Sequence, residues 1–270
     1  MEMEEHIYQD DPKVGPVDVI TNLPQTHYFF VGNGHILGGV QICASEDGTT
    51  IGLALMKPEV FGFKRAALTM DPDNGLRATQ IDVLIGPYRF QPDPVSLQSA
   101  WKTVDGIPHV VVTWLAEPFT LNEYFYCPDR ATPRLIRRLE FHNVTDQVQT
   151  ITIETGLLKE MITPSLTLEA GQSGCISLAY SLVWDNEQWQ ARLELADAPI
   201  AEEATAFWAS LPQCQFHNPV LDHLFNVSKI NLQHTISHGG AVDASIWQYN
   251  LEWVRDHAMM AIGLIMSGNY

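Results

Sequence analysis

Near residue 198 the spacing of apolar residues changes from every second position to every third or fourth, so one kind of secondary structure cannot serve the whole chain. Before that point the sequence reads as short strands divided by turn residues. His27 to Val31 is aromatic and β-branched, and Gly32-Asn33-Gly34 follows at once. Ile36 to Ile42 is the next strand, with Gly38-Gly39 marking a bulge or a close backbone approach. Further strands are predicted over Ile51 to Met56, Leu76 to Ile85, Val110 to Leu115 and Phe119 to Tyr126. Four more span Leu135 to His142, Val148 to Leu158, Ile176 to Trp184 and Trp189 to Leu195. Turn residues separate them, among them Asp71-Pro72-Asp73-Asn74-Gly75, Glu117-Pro118 and Asp185-Asn186-Glu187-Gln188. Recurrent strands of this kind predict an antiparallel β-sandwich over residues 1–197.

After residue 198 the pattern is helical. Ile200 to Leu211 is rich in Ala and Glu and is stopped by Pro212, which makes 198–215 a helical linker. Asn218-Pro219 supplies a cap and a first-turn proline, whose missing N–H costs nothing there. Leu221, Leu224, Phe225, Ser228, Leu232 and Thr235 then form one amphipathic stripe, and Gly239-Gly240 is expected to end that helix. A third helix is predicted from Val254 to Met266, stopped by Ser267-Gly268-Asn269. Helices this few cannot bury their apolar faces alone. They must lie on the sandwich, pair with another chain, or open an all-α domain that continues beyond residue 270, which makes 216–270 the start of such a domain.

Composition narrows the function. Apolar residues make up 46% of the 270 and charged residues 17%, as in a globular protein. Lys and Arg total 15 against 32 Asp and Glu, a net charge of −17 that repels nucleic acid and anionic membrane surfaces. A neutral ligand such as a sugar meets no such barrier. The acidic start, Met1 to His6, is unlike a secretory signal, and no apolar run is long enough to cross a membrane, so a cytoplasmic protein is expected. Cys43, Cys127, Cys175 and Cys214 lie far apart and read as reduced, partly buried small hydrophobes. The sequons at Asn143 and Asn226 are then chance matches.

Several local patterns reduce to structure. Gly32-Asn33-Gly34 with Gly38 departs from a dinucleotide fingerprint, since Leu37 stands where glycine is needed. Asp71 to Gly75 has its glycine one place early for a calcium loop. His234 and His238 are four apart, and His223, Asp243 or His257 would be needed to complete a metal set. Two imidazoles do not define a site, and a histidine near a helix C-terminus is favoured by the dipole, so neither a metal nor a cofactor is expected. Ser245, His238 and Asp243 lack the elbow signature of a nucleophilic serine.

Trp247 to Asp256, WQYNLEWVRD, combines aromatic faces that stack on the C–H face of a pyranose with groups that read pairs of hydroxyls. The same residues also suit a core tryptophan pair with a surface ion pair and cap. Taken with Gly240-Ala241-Val242-Asp243-Ala244-Ser245 before it and the Ala- and Leu-rich helix after it, Tyr249-x-x-x-Trp253-x-Arg255-Asp256 resembles the opening of the catalytic domain of glucoamylase-type glycoside hydrolases. The resemblance implies a large N-terminal β-sandwich, a helical linker and an (α/α)6 toroid that begins here. It implies that Arg255 and Asp256 bind hydroxyls of the terminal sugar and that Tyr249 and Trp253 wall the cleavage point. It implies an oligosaccharide or glucan substrate cleaved by inversion. The two catalytic glutamates of that family lie in later barrel loops, and no second carboxylate here answers to the required separation of roughly 6.5–9.5 Å. No catalytic residue is therefore assigned, the chain alone is expected to be inactive, and a C-terminal continuation or partner chain would complete the barrel. Sugar phosphorylases share the architecture, and a non-catalytic carbohydrate-binding module is the rival from another class.

Overall fold

The computed structural model describes residues 26–45, 48–58, 66–68, 78–90, 97–157, 160–197, 199–212, 215–242 and 254–266. It is mostly antiparallel β-sheet with three helices among those residues. The strands run β1 (Thr26–Gly32), β2 (Leu37–Ser45), β3 (Gly48–Met56) and β4 (Ala66–Leu68), then β5 (Asp82–Ile85) and β6 (Tyr88–Phe90). A meander follows, β7 (Gln98–Val104), β8 (Ile107–Ala116), β9 (Phe119–Tyr126) and β10 (Arg134–Asn143). Next come β11 (Gln149–Leu157), β12 (Glu160–Ile162) and β13 (Ser165–Leu168), and finally β14 (Ser173–Asp185) and β15 (Gln188–Leu195). The helices are α1 (Glu202–Ser210), α2 (Pro219–Thr235) and α3 (Val254–Met266).

One layer is a six-stranded sheet ordered β15-β14-β10-β9-β8-β7. Against it lie a four-stranded sheet, β1-β2-β3-β4, and a five-stranded sheet in which β11 joins β12, β13 and the β5–β6 hairpin. Period-two alternation seals the six-stranded sheet on both faces. Val110, Val112, Leu121, Phe125, Leu135, Leu139, Leu178 and Tyr180 point into the large core between the layers. Ile107, Tyr126, Ile136 and Ala179 point the other way, where Ala204 and Trp208 of α1 cover them. Gly38 permits the layers to meet, since a Cβ there would stand 2.4 Å from a Leu135 methyl.

An ion pair crosses this core. Arg137 on β10 and Glu123 on β9 are fully buried, with Arg137 Nε 2.6 Å from Glu123 Oε2. Arg137 Nη1 donates to the Thr79 carbonyl at 2.6 Å in the opposite layer, so one guanidinium ties both layers together. Burial pushes the Glu123 carboxyl up, and the Arg137 charge and hydrogen bond pull it back.

Several predicted elements need correction. Of the strand predicted over Leu76 to Ile85, residues 76–77 lie outside the described residues, and the rest is a strand only from Asp82, because residues 78–79 form a turn whose Thr79 hydroxyl accepts the Leu53 amide at 2.7 Å. Five strands went unpredicted: β4, β6, β12 and β13 have three or four residues, too few to show alternation, and β7 is a polar edge strand. The Asp71 to Gly75 turn lies outside the described residues.

The predicted stripe of α2 is not its buried face. Leu221, Leu224 and Ser228 are exposed, while Lys229, Gln233 and His234 are buried against the sandwich. The helix also ends before Gly239-Gly240. Ile236 turns extended and bridges Val242, and Gly240 (φ +84°) serves the turn between them. The cap is as expected, with Asn218 Oδ1 accepting the Val220 and Leu221 amides and Pro219 opening the helix.

Candidate functional site

The turn after β1 is the seat of α2. Asn33 organises it, accepting the His35 and Ile36 amides on Oδ1 and donating from Nδ2 to the Asp129 and Thr132 carbonyls, 2.8 and 2.7 Å away. The backbones of turn and helix end then touch. A Cβ on Gly32 would lie 2.4 Å from the His234 carbonyl oxygen, and one on Gly34 (φ +90°) 2.8 Å from the His238 nitrogen. The His238 amide donates to the Gly34 carbonyl at 2.9 Å. Close backbone approach therefore requires glycine at both positions, and at Gly34 the left-handed backbone requires it as well.

His234 closes the seam. Its ring stacks on Trp101 of β7 (5.1 Å between centroids, 9° between planes) and packs at 4.9 Å against Trp208 of α1. Nδ1 lies 2.7 Å from the Gly32 carbonyl oxygen and 3.0 Å from the Gly32 amide nitrogen, and buried Nε2 has no hydrogen-bond partner among the described residues. Burial lowers its pKa to about 4, against the opposing pull of the Gly32 carbonyl, so the imidazole is neutral at pH 7.

Below this seam a cleft of about 350 Å³ opens between the β7–β8 turn, the end of α1 and the middle of α2. Thr103, Pro108, Trp208, Asn226 and Lys229 line it. Lys229 Nζ is anchored on the Pro212 carbonyl, which joins linker to helix.

A second group of aromatic residues lies at the sandwich rim. His35 and His238 stack with centroids 4.3 Å apart. Lys57 Nζ donates to the His35 carbonyl at 3.1 Å and stands 5.6 Å from the ring centre of Trp189. Trp189 in turn meets exposed Trp184 in a T-shaped contact at 5.4 Å. The sequence reading overlooked the cleft and this rim group, although Trp184 and Trp189 sit symmetrically about the Asn186-Glu187 turn.

Of the sugar-binding residues expected from sequence, Tyr249 and Trp253 lie outside the described residues, as do Asp243, Ser245 and Glu252. Arg255 and Asp256 belong to the first turn of α3, where only the backbone is described. His234 and His238 do not share a helix face: α2 stops at Thr235, His234 is locked on Gly32, and His238 stacks on His35. His223 stands apart on α2, and no group of three metal-ligating residues occurs among the described residues. Cys127 is free and buried, its thiol pushed up by burial, whereas Cys175 is exposed rather than partly buried. Asn143 is fully buried, its Nδ2 donating to the carbonyls of Gln147, Leu168 and Glu169. Among the described residues no helix is long and apolar enough to cross a membrane. No family model matches this chain, and no curated protein matches it.

Proposed function

We propose that the chain is the sandwich-bearing portion of a cytoplasmic glycoside hydrolase that acts on α-glucosides or α-glucans by inversion, with its last helices opening an (α/α)6 toroid. The observation that carries this reading is the order of elements ahead of the Trp253-x-Arg255-Asp256 run. A β-rich body is followed by α1 on its outer face, by α2 seated on β1, and then by α3, whose first turn bears Arg255 and Asp256. Exposed apolar residues on two helices, Leu221 and Leu224 of α2 and Met259, Ile262 and Ile265 of α3, support a place in a larger helical body. In this role Arg255 and Asp256 hydrogen-bond paired hydroxyls of the terminal sugar, and the helix dipole keeps Asp256 ionised as an acceptor. Tyr249 and Trp253 supply apolar faces beside the bond to be cleaved. The chain contributes binding, since no carboxylate pair in it is assigned to cleavage.

The test is calorimetric titration of the chain with maltose, before and after Asp256→Ala. Loss of about 1.5–3 kcal/mol of binding with an unchanged melting temperature is expected. Unchanged binding with about 1 kcal/mol lost from stability would make Asp256 a helix cap only. Turnover of maltose by the 270-residue chain would overturn the division of labour, and turnover that requires phosphate would point to a phosphorylase.

A further inference from the structure

We infer that the tip of the β14–β15 hairpin is a second carbohydrate contact, a stacking platform for a neutral oligosaccharide longer than the terminal sugar. The inference rests on the proposed glucan-binding role and adds a subsite to it. Its core is Trp184. Inward-facing positions of β14 and β15 pack Leu182, Ala191 and Leu193 into the sandwich core, but Trp184, on that same side, overshoots the core and is 54% exposed. A large indole left in water at a strand end is unusual unless something covers it.

The platform is rigid. Trp184 and Trp189 are directly paired across the hairpin, and Asn186 (φ +48°) and Glu187 (φ +63°) form the two-residue turn that fixes their register. Trp189 packs against the core on one side, has the Lys57 ammonium 5.6 Å from its ring centre, and meets Trp184 at 64° between ring planes. A preorganised aromatic face loses little conformational freedom when it binds.

The surroundings select the occupant. Exposed Asp185, Asn186 and Glu187 follow Trp184 in the hairpin tip and carry acceptors and a carboxamide suited to hydroxyl groups. Their carboxylates and the net charge of −17 repel phosphate-bearing ligands. A single exposed indole at a polar hairpin tip is also too small an apolar area for a stable protein interface. An uncharged sugar, with an apolar C–H face and a rim of hydroxyls, suits both parts. The rim contacts then lead through Trp189, Lys57 and His35 to His238, which precedes the Gly240 to Asp256 run by two residues in sequence.

The test uses maltoheptaose and maltose as probes, titrated into the full chain and into Trp184→Ala, Trp184→Phe and Asp256→Ala, with melting temperatures to confirm the fold. The expected result is at least a tenfold weaker affinity for maltoheptaose in Trp184→Ala, recovery in Trp184→Phe, and unchanged maltose affinity. If Asp256→Ala abolishes all binding while Trp184→Ala binds maltoheptaose normally, the terminal subsite stands and the platform is overturned. If only Trp184→Ala weakens maltoheptaose binding, the platform stands and the role of Asp256 fails. No maltoheptaose binding by the unaltered chain, or a dimer by sedimentation that Trp184→Ala dissolves without any sugar effect, overturns the platform.

Discussion

Arg137 and His234 each sit at the centre of an interface, yet they hold it in opposite ways. Arg137 is charged, pairs with Glu123, and hydrogen-bonds a carbonyl of the opposite layer inside an apolar core. His234 is neutral, meets only the Gly32 backbone through Nδ1 among the described residues, and otherwise relies on two indole faces and on glycines that let backbones touch. The first interface tolerates a charge because partners surround it. The second depends on the charge staying away. The sandwich and the helical seam should therefore fail under different stresses.

The largest effect is expected in the sandwich. Arg137→Leu should cost about 3–5 kcal/mol, because it strands the Glu123 carboxylate in the core, and adding Glu123→Leu should restore most of it. Urea unfolding of the single and double variants measures both. A double variant as weak as the single would show that the carbonyl contact across the layers, rather than the ion pair, is what matters.

Acid should test the seam and the sandwich together. His109, buried on the outer face of the six-stranded sheet against Tyr126, also has its pKa lowered to about 4, chiefly by burial, with the Ile107 carbonyl opposing. Both rings are neutral when folded, whereas the unfolded chain takes up protons near pH 6.5. Their stabilising contribution is complete above that value and is lost as pH falls toward 4, by up to about 3 kcal/mol for each ring. His234→Phe and His109→Phe should each flatten roughly half of that slope in unfolding curves taken across the window. A slope unchanged by His234→Phe would mean that the seam already admits a charged ring.

The smallest effect separates the two regions spatially. Gly32→Ala should cost about 1–3 kcal/mol through the collision with the His234 carbonyl. Limited proteolysis should then cut within α2 while the β-sheet circular dichroism signal is retained. Simultaneous loss of both signals would show that sandwich and helix fold as one unit.

What the sequence revealed follows from where alternation is long enough to read. Phe119 to Tyr126 was legible to the residue because a β-favouring run stands between Pro118 and Pro128, and Val254 to Met266 because an apolar, helix-favouring run meets Ser267-Gly268-Asn269. The Asn218-Pro219 start was legible because capping is local chemistry. The docked face of α2 was not, because Lys229 and His234 are buried for contacts with Pro212 and Gly32 that are distant in sequence and invisible to periodicity. Tertiary contact selected a polar face over the apolar stripe. The rim tryptophans were hidden for a related reason: Trp184 follows the inward pattern of β14, and only the end of the core reveals that it emerges.

Asn143 carries a consequence for making the protein in a secretory host. Its carboxamide is consumed by three carbonyls and the side chain is sealed from solvent, so an oligosaccharyltransferase can reach the Asn143-Val144-Thr145 sequon only in a nascent or unfolded chain. A glycan attached there and the native corner between β10 and β11 exclude one another. Occupancy at Asn143 would thus act as a stopwatch, counting the molecules whose folding lost the race against modification.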